Sequence, residues 1–365
     1  MQQRTKRVLT EKMSKRLDFQ EIEQEILRWK GFVSVFHSAP PESNLTPRKA
    51  IWKKNKLTLW HYPPKQKKYK TPIVLVYSIV NQPFILDLAP GASVIEGFVQ
   101  EGYDVYLIDF GIPGYEDKDF TMNDYITKYI QKGVQRALSH SEAKEITLIG
   151  YCLGGTLAAM YTGIAKEPIK NLILTVAPFD FSAYPIFDQW FKALKNERFD
   201  IEHLVDSIGL IPAPLVEAGV RLLTSPIYYS PYLSLLNRAY DEAYMKRWQR
   251  FNNWTKSHIP FPGATLKQLL NDFVKENKLL NGTLQIEGEN LDLRNIHSNL
   301  LVIASKYDRL VPEAMVQPIM DLVSSSDKTY HVLEAGHAGI SLKGGLPPYF
   351  KEWIHIRSDT IDNTK

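Results

Sequence analysis

The sequence predicts an α/β fold: a mostly parallel, doubly wound sheet wrapped by helices and interrupted late in the chain by an inserted cap. Three observations carry that prediction. Short apolar runs alternate with helix-like segments from residue 57 to residue 176, the rhythm of βαβ units. The motif Gly150-Tyr151-Cys152-Leu153-Gly154-Gly155 falls between an apolar run and a helix-like one, where a sharp strand-to-helix turn holds a nucleophile. Between about Phe179 and Asn281 the rhythm gives way to an aromatic, proline-punctuated stretch, and it returns at residues 300–333.

Taken in order, the first element is helical. Residues Leu17 to Phe36 place Phe19, Ile22, Ile26, Leu27 and Trp29 among charges, an amphipathic pattern ahead of the first strand. Its apolar stripe needs cover, from the protein's own core or from another subunit. The stretch Thr46 to Lys70 holds Arg48, Lys49, Lys53, Lys54, Lys56, Lys65, Lys67, Lys68 and Lys70 with no acidic residue. Such a run attracts phosphates or a charged surface, but the alternation of Leu57 to Tyr62 inside it reads as an edge strand guarded by lysine.

Strands are expected at 72–77 and 104–109, with a helix at 93–99 between them. Thr121 caps a helix to about Ser139, Ile146 to Tyr151 is an unbroken apolar strand of the doubly buried kind, and Leu172 to Val176 follows the helix after the motif. The cap carries Phe179, Phe181, Tyr184, Phe187, Trp190 and Phe191, then Tyr228, Tyr229, Tyr232, Trp248, Phe251, Trp254, Phe261 and Phe273. Beyond it come a strand at 300–304, a helix from Pro312 to Val323 and a strand at 329–333. The chain thus divides into an N-terminal helical segment (1–45), a first core part (46–178), the cap (179–281) and a second core part (282–365).

Composition narrows the function classes. With 365 residues, 44% hydrophobic and 23% charged, the chain suits one large core with an insertion, and its 12% aromatic content favours binding of apolar groups. A formal net charge of +4 asks for no nucleic acid. One cysteine allows no intramolecular disulfide, and no apolar run follows Arg4, Lys6 and Arg7 as a secretory leader requires, so a cytoplasmic setting is expected. The longest apolar run, Ile73 to Val80, is far short of the ~20 residues that span a bilayer.

The chemistry rests on three residues. Glycine stands two positions either side of Cys152, as a tight strand-to-helix elbow requires. Asp308 follows strand 300–304 and His337 follows strand 329–333, so nucleophile, acid and base appear in the chain order of an α/β-hydrolase core. Alone, each residue would be ordinary: a buried small hydrophobe, a turn former before proline, one histidine of nine. Together, His337 moves protons, Asp308 fixes its tautomer, and Cys152 attacks as a thiolate. Two backbone donors are needed for the oxyanion: the N–H of Leu153, next after the nucleophile, and one from the loop after strand 73–77, where Val80 is the candidate. Sulfur in place of a hydrolase's serine favours acyl exchange, because a thioester substrate and a thioester enzyme lie close in energy.

Several segments together resemble the polyhydroxyalkanoate synthases, in particular the shorter two-component classes III and IV, class IV being the nearer on overall similarity. They are Gly150-Tyr151-Cys152-Leu153-Gly154-Gly155-Thr156, Asn81 to Leu88, Tyr106 to Pro113, Ile259 to Gly263, Tyr307 to Pro312 and Ala335 to Gly339. Phe110 stands where that family usually has tryptophan, and the similarity runs over roughly residues 45–355. The resemblance implies a polymerase that takes (R)-3-hydroxyacyl-coenzyme A, 3-hydroxybutyryl in first place, and releases coenzyme A. It carries over Cys152 as nucleophile, His337 as base and Asp308 as the acid, with a further suggested role for the aspartate in activating the substrate's hydroxyl. It implies no cofactor, since coenzyme A belongs to substrate and product. It also implies an accessory subunit, homo- or hetero-oligomers and a place at the surface of cytoplasmic polyester granules. With one thiol per chain, elongation either relays between two protomers or passes through a noncovalent coenzyme-A-bound chain, and the second route is expected. A hydrolase of the same fold and a non-catalytic granule-binding scaffold are the rival readings.

Overall fold

The computed structural model describes residues 19–184, 201–224, 230–342 and 345–361. Its centre is an eight-stranded sheet: β1 (Lys49–Lys54), β2 (Leu57–Tyr62), β3 (Ile73–Val76), β4 (Val105–Asp109), β5 (Ile146–Tyr151), β6 (Ile169–Thr175), β7 (Asn299–Ser305) and β8 (Lys328–Leu333). The order across the sheet is β1-β2-β4-β3-β5-β6-β7-β8. β1 and β2 run antiparallel to their neighbours, and every pairing from β4 to β8 is parallel. β3 and β5 are buried at every residue, which explains their largely apolar sequences: helices cover both faces, and the one polar residue before Tyr151, Thr147, accepts an N–H of the Asn171 side chain at 2.9 Å.

One strand was not anticipated. β1 pairs with β2 and takes the sheet edge, so 57–62 is flanked on both sides and is not the edge strand the sequence suggested. The lysine protection remains but sits one strand further out, on exposed Lys49, Lys53 and Lys54. The helix expected over 312–323 is two short pieces, Glu313–Val316 and Ile319–Leu322. Pro318 lies between them, without the N–H a continuous helix needs there.

The larger compact unit comprises residues 43–225 and 254–365. Within it, α2 (Val94–Glu101) starts at Ser93, whose side chain accepts the N–H of Glu96 at 2.9 Å. α3, the helical run 122–141, opens with a capping box of Thr121 and Asp124 and widens to π-type turns over Tyr125–Ile130. α4 (Leu153–Ile164) leaves β5 directly and is buried along nearly its whole length. α5 (Ile201–Ile208) and α6 (Ala213–Thr224) belong to the segment expected as cap, as does Leu210–Ile211, paired with Phe261–Pro262.

The smaller unit comprises residues 1–42 and 226–253. It joins α1 (Phe19–His37) to α7 (Ser230–Arg238) and α8 (Glu242–Thr255) around Val35, Leu235, Ala239 and Trp248. Gly31 lies against the backbone of Ala239, where any side chain would overlap the carbonyl. Of the cap aromatics, Tyr232 and Trp248 therefore line a core with the N-terminal helix. Phe187, Trp190, Phe191, Tyr228 and Tyr229 lie outside the described residues.

Two glycine substitutions have opposite expected signs. A Cβ at Gly150 would strike the backbone of Gly155, so Gly150→Ala costs about 1–3 kcal/mol and lowers the denaturant midpoint. Gly219, inside α6, has open space around it, so Gly219→Ala stabilises by about 0.5–1 kcal/mol and raises the midpoint.

Candidate active site

The site is built at the carboxyl ends of β5, β7 and β8. β5 ends at Tyr151, and the next residue, Cys152, has φ 55° and ψ −132°, a conformation that L-residues adopt only when their surroundings impose it. The surroundings are tight. A Cβ at Gly154 would run into the carbonyls of Val76 and Tyr77, while the Cys152 N–H is held by the carbonyl of Thr175 at 2.9 Å. The turn thus fixes the sulfur at the mouth of α4, with 5% of the residue exposed.

Asp308 lies just past β7 and is buried. Its Oδ1 accepts the backbone N–H groups of Leu310 and Val311, each at 2.9 Å, and its Oδ2 meets Nδ1 of His337 at 2.7 Å. Both carboxylate oxygens are therefore engaged. His337, in the loop after β8, is near enough to Cys152 for the two side chains to influence each other's charge. Burial disfavours the imidazolium, but the negative charge of Asp308 and that of Cys152 outweigh it, so the ring is held well above its ordinary value. The structure thus brings together the three residues singled out in the sequence, in the row Asp308, His337, Cys152.

Leu153 opens α4, and neither its N–H nor that of Val80 meets an acceptor among the described residues. Val80's carbonyl accepts Ile259 N–H at 3.3 Å, which ties the loop after β3 to the segment returning at 258–259. Beside this loop a cleft of about 230 Å³ is lined by Arg48, Tyr77, Asn81, Asp109, Phe110 and Ile259 among others. No group of metal-ligating side chains occurs among the described residues.

Sequence reasoning missed Tyr151. Its ring stacks on Tyr77 at 5.5 Å and meets the His337 ring edge-on at 5.8 Å, and its hydroxyl donates to the His337 carbonyl at 2.5 Å. Burial holds this phenol well above its ordinary value, so it stays a donor. One side chain therefore ties the strand before Cys152 to the loop that carries His337. A polar atom on an otherwise buried strand is the signal that could have revealed it: β5 has no water to satisfy a hydroxyl, so the hydroxyl must reach another loop.

With this geometry in place, similarity to known proteins becomes informative. The family model described as alpha/beta hydrolase fold matches residues 71–343, so the chain belongs to that fold family. The poly(3-hydroxyalkanoate) polymerase subunit PhaC of Synechocystis is 31% identical over 86% of this chain and 85% of its own length. The chain belongs to the poly(3-hydroxyalkanoate) polymerase family. The PhaC subunit of Haloferax mediterranei is 33% identical over 86% of this chain, which spans 65% of that relative's length, under two thirds. That of Allochromatium vinosum is 28% identical over 90% of this chain and 93% of its own length. Among the described residues of this polymerase-family chain, no helix is long and apolar enough to cross a membrane.

Two outcomes test the electrostatics and the tether. Asp308→Asn removes a charge that supports the imidazolium while burial continues to oppose it, so the His337 pKa falls; histidine NMR titration reads this directly. The ring's contribution to stability is fully present below its unfolded value of 6.5 and is lost as pH rises through the elevated folded value, so the difference in Tm between wild type and Asp308→Asn narrows in alkali. Tyr151→Phe loses the tether alone: kcat falls about tenfold with KM little changed, and the pH profile shifts with the freed loop.

Proposed function

We propose that the chain polymerises (R)-3-hydroxyacyl-coenzyme A, 3-hydroxybutyryl-coenzyme A first among these, into polyester with release of coenzyme A. The observation that carries this reading is the Asp308–His337 hydrogen bond beside the chain's only cysteine, whose charge acts on the same ring, in a member of a polymerase family. Cys152 attacks the thioester carbonyl carbon, the bond to the coenzyme A sulfur breaks, and the imidazolium of His337 gives the departing thiolate its proton. The raised pKa of His337 suits that order, since it favours the protonated ring. The N–H groups of Leu153 and Val80 are the candidates to receive the oxyanion.

For extension, His337 takes the proton from the 3-hydroxyl of a second substrate as its oxygen attacks the acyl carbon. The new ester forms, the Cys152–acyl bond breaks, and the lengthened chain leaves as a coenzyme A thioester. Reacylation of Cys152 by that thioester releases coenzyme A and completes the cycle without a second thiol. Asp308 acts through the imidazole in this scheme, because both of its oxygens already have partners and its side chain is closed to solvent. An accessory subunit, two-component organisation and attachment to polyester granules belong to the same reading. A thioesterase of this fold is the alternative, against which the sulfur nucleophile weighs.

The purified protein, with and without a candidate accessory subunit, is given (R)-3-hydroxybutyryl-coenzyme A. Coenzyme A release with chloroform-soluble polymer is expected, and Cys152→Ala loses at least about a hundredfold in rate. Release of free hydroxy acid with no polymer would overturn the synthase reading in favour of hydrolysis.

A further inference from the structure

The loop after β3 carries the second candidate donor for the oxyanion, the N–H of Val80, yet few of its own groups hold it in place. Ser78 is buried, and its hydroxyl meets no partner among the described residues. Pro83, next after Gln82, has no N–H to donate. Asn81 makes one local bond, its Oδ1 accepting the Gln82 N–H at 2.7 Å. An oxyanion donor is effective only when it is held still, since a misplacement of about 1 Å at a reacting centre costs on the order of a hundredfold in rate.

The hold comes from residues 254–259, far away in sequence. Asn81 and His258 form an isolated antiparallel bridge, in which the Gln82 N–H reaches the Ser257 carbonyl at 3.4 Å and the Ile259 N–H reaches the Val80 carbonyl at 3.3 Å. Both are long beside the usual N–H to oxygen spacing of about 2.9–3.0 Å. Trp254, in the last turn of α8, makes the two shorter bonds. Its carbonyl accepts Nδ2 of Asn81 at 3.0 Å, and its Nε1 donates to the Gln82 carbonyl at 3.1 Å. One residue thus grips the two positions after Val80 from both its backbone and its ring. Trp254, Asn81 and Ile259 are buried, so no solvent stands ready to replace a bond that is lost.

We propose that Trp254 is a positioning residue for the reaction: its indole N–H and its carbonyl fix Asn81 and Gln82 and, through them, the Val80 N–H that receives the oxyanion. This rests on the reading of Cys152 as a nucleophile toward a thioester and of Val80 as a donor. A residue that only filled space would do so without an N–H. The indole N–H is what a phenylalanine in its place would lack, and that difference makes the role measurable.

The test is release of coenzyme A from (R)-3-hydroxybutyryl-coenzyme A by wild type, Trp254→Phe and Trp254→His. Phenylalanine and histidine both give up part of the indole, but Nε2 of histidine falls where the indole Nε1 was. At pH 8 an imidazole of ordinary pKa, about 6.5, is neutral and donates from that nitrogen. Trp254→Phe lowers kcat about tenfold with KM little changed, because the oxyanion exists only on the way through the transition state, and Trp254→His recovers most of the loss. Iodoacetamide gives the control. It alkylates the thiolate by displacing iodide from a saturated carbon, builds no oxyanion and has one cysteine to find, so its rate is little changed in both variants. An unchanged kcat in Trp254→Phe overturns the proposal, as does a histidine variant no better than the phenylalanine one. Alkylation that falls as far as kcat overturns it too, by reducing Trp254 to a support of the fold. A synthase and a thioesterase form the same oxyanion, so free hydroxy acid in place of polymer removes the synthase reading alone. A wild type that releases no coenzyme A removes both.

Discussion

Everything at the site depends on how closely α4 approaches the ends of β3 and β5. The helix begins so near these strands that Gly150 and Gly154 have no room for a Cβ, and the residue between strand and helix is driven to positive φ. That contact fixes the position of Cys152. The loops after β7 and β8 need only bring a carboxylate and an imidazole to a point the elbow has already set, and the parallel order β5-β6-β7-β8 delivers them to the same edge.

Much of this was legible because buried parallel strands leave a plain trace. Ile146 to Tyr151, but for Thr147, and residues 300–304 are apolar since both faces are covered, and the residues just past such strands are where chemistry gathers. Cys152, Asp308 and His337 could be picked out for that reason. β1 was hidden because Lys-Ala-Ile-Trp-Lys-Lys shares its lysines with a basic stretch that looks uniform in composition, and only pairing with β2 separates it. The broken helix at 313–322 shows the reverse: apolar periodicity promised one helix, and a single proline overrode it.

What stayed out of reach was long-range. The hydroxyl of Tyr151 and the carbonyl of His337 are 186 residues apart, and no local pattern announces such a bond. The same holds for the grouping of residues 226–253 with the N-terminal helix, where Trp248 and Val35 share a core although more than two hundred positions separate them. Local spacing identifies an apolar stripe; the chain's return path decides what meets it.

The nearly buried, solitary sulfur of Cys152 has a practical consequence. A chain with one thiol has one possible stoichiometry of thiol labelling, and every sulfur that reacts is a site carrying no acyl group. The protein therefore contains its own occupancy gauge. In the proposed cycle, the fraction of chains that escape a thiol reagent, measured against denatured and deacylated protein, is the fraction whose Cys152 is acylated or shielded.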